Sequence, residues 1–127
     1  MKMAHRPENG FELAVVCDTE PAVLAEYRDE FGPRLETTAD WRKVAAREDL
    51  DAIFVTTPDY LHVEHAVASL EAGKAVFLEK PMAITIEGCD KILAAAERHG
   101  NRLYVGHNMR FFPVMRKMKA LIDEGAI

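Results

Sequence analysis

The chain has 127 residues, 49% hydrophobic and 29% charged, with 16 basic and 21 acidic side chains and a net charge of −5. That length carries one domain with a real core, burying roughly two-thirds of its unfolded surface. No basic stripe favours nucleic acid, no run reaches the roughly 18 apolar residues of a membrane span, and residues 1–6 lack the apolar segment of a secretory signal, so a cytoplasmic chain is expected.

Residues 12–17, ELAVVC, form an apolar, β-branched run that predicts a strand. Thr19 is placed to cap a helix with Pro21 in its first turn, and Val23, Leu24, Tyr27 and Phe31 keep helical spacing up to Gly32-Pro33. A weak strand signal at Arg34-Leu35-Glu36 precedes a short helix over 40–47 with Trp41 and Val44. Residues 52–56, AIFVT, predict a second clear strand. Asp59 then caps a helix with Val63, Ala66, Val67 and Leu70 on one face, closed by Gly73. Residues 75–78 predict the third clear strand. A helix from Thr85 to His99 comes next, with Cys89, Ile92, Leu93 and Ala96 inward and Gly100 as its stop. Residues 102–106 predict the fourth clear strand, and a helix over 113–123 carries Met115, Met118, Leu121 and Ile122 before Gly125. Glycine just past the last apolar position is a consistent helix stop. Cys17 and Cys89 sit on apolar elements and read as small core residues, not a disulfide framework.

Strand–helix alternation with continuous apolar strands predicts a doubly wound α/β fold: a mostly parallel sheet covered on both faces. In such a sheet the carboxyl ends of the strands share one edge, where ligands bind. The predicted strands deliver Asp18, then Thr56-Thr57-Pro58-Asp59, then Glu79-Lys80-Pro81, then His107-Asn108-Met109-Arg110 to that edge. Asp18 suits a ribose hydroxyl, or equally a turn or helix cap. Thr57-Pro58 suits a ribose or carboxamide, or a plain strand-to-helix turn. Pro81 biases Lys80 to an extended pose beyond the strand, with Glu79 alongside. There Lys80 could bind a substrate hydroxyl, with a pKa lowered by burial, or simply close a strand as a solvated charge. Arg110, next to Phe111 and Phe112, could clamp an anionic or amide group, or form a surface ion pair. His62, His65 and His99 read as surface residues. No metal-ligand spacing, serine elbow or glycine-rich phosphate loop is present.

The stretch LDAIFVTTPDYLHVEHAVASLEAGKAVFLEKPMAIT resembles the Gfo/Idh/MocA oxidoreductases, the family of glucose–fructose oxidoreductase and the inositol dehydrogenases. Its pattern is carried here by Thr57-Pro58, His62, Ala72-Gly73-Lys74 and Glu79-Lys80-Pro81, and YVGHNMRF at 104–111 matches the next segment. The resemblance implies a Rossmann-like dinucleotide-binding domain over residues 1–127. It implies hydride transfer between nicotinamide and a hydroxyl or carbonyl carbon of a sugar or cyclitol, in a parent enzyme that is a homo-oligomer. By that likeness Asp18 meets the adenosine ribose, and Thr57, Pro58 and His62 line the dinucleotide path. Glu79 and Lys80 lie near the nicotinamide ribose and the substrate hydroxyl, Lys80 as the catalytic group, while Asn108 and Arg110 stand at the nicotinamide end. An acid at 18 without a following arginine favours NAD, with NADP possible. Relative to the family, the chain lacks the first strand with its glycine-rich turn and the second α/β domain. A fragment is therefore expected, with residues 1–10 matching the segment after a first helix, and one that turns over little on its own. Two rivals remain: a non-catalytic dinucleotide-sensing or structural domain, and a phospho-receiver domain, which also places a Lys-Pro at a strand end.

Overall fold

Strand and helix alternate throughout the computed structural model, which describes residues 10–127. The expectation for the segment before Gly10 lies outside those residues. The elements are β1 (Val15–Cys17), α1 (Pro21–Phe31), β2 (Glu36–Thr38), α2 (Trp41–Ala45), β3 (Ala52–Val55), α3 (His62–Glu71), β4 (Ala75–Leu78), α4 (Ile86–Arg98), β5 (Leu103–Val105) and α5 (Pro113–Asp123). Single 3-10 turns at Asp59–Leu61 and Asn108–Phe111 precede α3 and α5.

All strand pairs are parallel, as expected, but they fall into two pieces. β1 pairs with β2, and β3, β4 and β5 form a separate three-stranded sheet in that order. The core lies on one face of the second sheet. Val55, Val76 and Leu78 point into it, met by Ala66 and Leu70 of α3 and by Ile92, Ala95 and Ala96 of α4. Three alanines in that set let the two helices lie close to the strands and to each other. The opposite face of this sheet carries a stacked aromatic row, Phe54–Phe77–Tyr104, with ring centroids 5.1 and 5.2 Å apart. Phe54 and Tyr104 remain exposed, so the expectation of two covered faces is met on one face only among the described residues.

The local signals explain most boundaries. Thr85 caps α4, its hydroxyl oxygen accepting from the Gly88 N–H at 3.0 Å, with Glu87 in the first turn and Arg98 in the last, both favourable to the helix dipole. Gly73 succeeds α3 at φ 77°, a backbone that residues with a Cβ adopt reluctantly. Other expectations shift. The cap of α1 is Glu20, not Thr19; its carboxylate accepts from the Ala22 N–H. Asp59 makes no side-chain cap and opens the 3-10 turn instead, so α3 proper begins at His62. The weak strand at 34–36 moves to Glu36–Thr38, because register with Val15–Cys17 selects those residues. Leu93 is exposed, one step round the helix from the buried stripe of Gly88, Ile92, Ala95 and Ala96. Met115, Met118 and Ile122 of α5 are exposed too, since that helix packs mainly on the turn before it.

Candidate functional site

The parallel register fixes the edge. Val55 aligns with Leu78, and Leu78 with Val105, so the chain leaves β3, β4 and β5 on one side. Main-chain bonds extend the order one step beyond the strands: the Glu79 N–H donates to the Val55 carbonyl at 2.9 Å, and the Gly106 N–H to the Leu78 carbonyl at 2.8 Å. Thr57, Glu79-Lys80 and His107–Arg110 come directly after. Gly106 sits against the Phe77 ring, where an added Cβ would lie 3.3 Å from a ring carbon.

The best-defined polar cluster at this edge is built around Thr57 by two histidines of α3. His62 is fully buried. Its Nε2 lies 2.9 Å from the Thr57 carbonyl oxygen and its Nδ1 2.7 Å from the Pro81 carbonyl oxygen. Carbonyls only accept, so the ring is the donor wherever its nitrogen carries a proton. The Thr57 hydroxyl is in turn 3.1 Å from Nδ1 of His65, which is also buried. The His65 ring packs on Trp41 of α2 with centroids 4.4 Å apart, and Arg42 lies over the indole while pairing with Glu64 at 2.7 Å. Burial pulls the His65 pKa below its ordinary value; Glu64 opposes this, and Arg42 and His62 reinforce it. The expectation that His62 and His65 are surface residues is thus wrong, and His99 is half-buried. A loop and an aromatic side chain close over this end of α3.

Lys80 leaves β4 as expected and is joined to Pro81 by a cis peptide bond. The adjacent Glu79 carboxylate accepts from the Lys80 N–H at 2.6 Å. Lys80 is exposed, so the burial expected to tune its ammonium is absent here. Asp18 is half-buried and makes a turn, Oδ1 accepting from the Glu20 N–H at 2.8 Å. Its second oxygen has no hydrogen bond among the described residues. Asn108 and Arg110 lie on the exposed 3-10 turn after β5, where the Asn108 N–H donates to the Gly106 carbonyl and the Arg110 N–H to that of His107. Cys17, half-buried at the end of β1, has its thiol pKa pushed up by burial and by Asp18 and Asp40. Among the described residues no cluster of three or more His, Cys, Asp or Glu is arranged to hold a metal ion. No described helix is long and apolar enough to cross a membrane.

Residues 1–107 match the family described as the oxidoreductase family with an NAD-binding Rossmann fold. The chain belongs to that family. Within this oxidoreductase family, inositol 2-dehydrogenase 3 of Saccharopolyspora erythraea is 38% identical over 123 residues, 96% of this chain and 36% of that protein. The 2,7-anhydro-N-acetylneuraminate hydratase of Mediterraneibacter gnavus is 34% identical over 123 residues, 96% of this chain and 32% of that protein. The solved scyllo-inositol dehydrogenase of Lactobacillus casei, with bound NAD(H) and scyllo-inositol, superposes with a TM-score of 0.81 at 30% identity, over 92% of this chain and 34% of that one. The chain thus spans about a third of the length of the relatives it matches.

Proposed function

We propose that the chain provides the dinucleotide-binding part of an NAD(P)-dependent oxidoreductase that moves a hydride between nicotinamide and a hydroxyl or carbonyl carbon of a sugar or cyclitol. The observation that carries this is the single imidazole of His62. It brings the loop after β3 and the loop bearing Lys80 within one ring's width at the carboxyl edge. The polar groups suit a ribose and a carboxamide: at that edge Glu79 offers a half-buried accepting carboxylate and Asn108 and Arg110 exposed donors, and Asp18, after β1 in the separate sheet, offers an accepting carboxylate oxygen. When bound, the nicotinamide ring supplies the hydride donor or acceptor. Lys80, exposed beyond the end of β4, would hydrogen-bond the reacting oxygen and hold its proton. Asp18 accepts from the adenosine ribose hydroxyls and disfavours a 2′-phosphate. The sequence contains no glycine-rich loop to cradle the pyrophosphate. We therefore propose weak binding and little turnover by these 127 residues alone.

The test is a titration of NAD into isotope-labelled chain, monitored by amide shifts. Changes gathered at 18, 57, 79–80, 108 and 110 are expected, with Lys80→Met altering those at 79–80 and NADP binding more weakly than NAD. Shifts scattered elsewhere, or none as NAD approaches its solubility limit, would overturn the assignment. Measurable NADH formation from myo-inositol by this chain would overturn the claim of little turnover.

A further inference from the structure

We propose that His62 and His65 are positioning residues that lock the two loops of the carboxyl edge into one rigid unit, neither of them serving as a direct contact for a ligand. Three observations converge. The buried positions of α3 are His62, His65, Ala66, Ser69 and Leu70, one stripe at helical spacing, so the histidines continue the inward face of the helix. Both ring nitrogens of His62 face main-chain carbonyls, at Thr57 and at Pro81, which leaves the ring no free polar atom to offer. The Thr57 hydroxyl is taken up by His65, itself held by Trp41. Thr57 is therefore gripped at its carbonyl by one histidine and at its hydroxyl by the next turn's histidine. Through His62 the grip passes to Pro81, the residue directly after Lys80.

A buried carbonyl that loses its donor is costly, about 1–3 kcal/mol. Removing the His62 ring takes the polar partner from two part-buried carbonyls, one in each loop, and the donor from at least one of them. The two loops should then loosen together, while Val76 and Phe77 in β4, whose ladder bonds do not involve the ring, should not. The consequence for function rests on the dinucleotide assignment above. Pinning Pro81 fixes the main-chain origin from which the exposed Lys80 side chain projects, and pinning Thr57 fixes the facing loop. The edge is then set before any ligand arrives.

The experiment begins with the unaltered chain, without ligand. A ring N–H of His62 should be observable as a slowly exchanging proton with through-bond coupling to the Thr57 or Pro81 carbonyl carbon. A freely exchanging ring proton overturns the proposal whatever the variants do. Amide exchange is then compared in His62→Phe, His62→Gln and His65→Phe. In His62→Phe the amides of 59–61 and of 80 and 82–83 should exchange about ten-fold faster as a set, with those of β4 and α4 unchanged. His62→Gln, which keeps a donor, should recover part of the loss, and His65→Phe should affect only the loop after Thr57. Faster exchange in one loop alone, or across the whole sheet, refutes the coupling. NAD titration of the same variants adds a separate readout: His62→Phe should weaken binding at both loops. If the unaltered chain binds no NAD, the dinucleotide assignment fails and the exchange result still decides the clamp.

Discussion

Gly88 lies in the first turn of α4, where its substitution sets two known effects against each other. Alanine is favoured over glycine within a helix by about 1 kcal/mol, and Gly88 is not among the glycines with positive φ, so no backbone penalty opposes the change. The space is the obstacle. An added Cβ would lie 2.9 Å from Val63 Cγ2, 3.0 Å from Ala83 Cβ and 3.2 Å from Thr85 Oγ1, against an optimum near 3.5–4.0 Å for carbon pairs. Val63 can rotate away. Ala83 has no rotamer to change, and Thr85 Oγ1 is fixed by its cap bond to the Gly88 N–H. Relief requires α4 to move off α3 and the loop before it, at the cost typical of overpacking, about 1–3 kcal/mol. Gly88→Ala is therefore expected to be destabilising by roughly 1 kcal/mol net, a fall of about 4 °C in Tm for a chain of this size. Urea and thermal unfolding monitored by circular dichroism will measure it. In a Val63→Ala background the penalty should shrink by about 0.5 kcal/mol or more, since the two side chains then no longer compete. A Gly88→Ala chain more stable than the original would refute the packing of α3 on α4 described above.

Ile92, fully buried between the sheet and α3, should cost about 1 kcal/mol as Ile92→Val, read from the urea midpoint at constant slope. Thr85→Ala removes the cap of α4 and should cost about 1 kcal/mol, with faster exchange confined to the first turn of that helix. His65 gives a pH dependence of defined sign. Its folded pKa lies below the ordinary 6.5, so the unfolded chain binds the proton more readily. Stability linked to neutral His65 is fully present above about pH 6.5 and is lost as pH falls through the folded value. Unfolding free energies of the original chain and His65→Gln should converge as pH falls across that window; parallel curves would remove His65 as the source.

Elements whose cause is local were legible. The stops at Gly73 and Gly100 rest on residues that tolerate positive φ, and the strands at 52–55 and 75–78 are continuous apolar runs bounded by polar residues. The carboxyl edge of β3, β4 and β5 was legible as well, because parallel order within that sheet places its strands' exits on one side whatever lies between. Errors arose where a second element decides. Of the expected inward face of α3, Ala66 and Leu70 are fully buried and Val63 and Val67 pack at the core's margin, but the buried stripe also runs through His62, His65 and Ser69, which were not expected there. Helical spacing was present in those three, but a polar side chain counts as interior only once a partner is in view. The burial expected for Lys80 failed for the complementary reason, since an ammonium beyond a strand end needs covering elements that no local pattern announces.

The sequence alone determined the alternation of strand and helix, the parallel edge of β3–β5 and the residues that follow those three strands, since backbone preference and apolar run length are properties of neighbours along the chain. Only the tertiary structure decided which polar groups are buried there. The carbonyls of Thr57 and Pro81 are far apart in sequence, and they flank one histidine ring only after β3, β4 and α3 have packed.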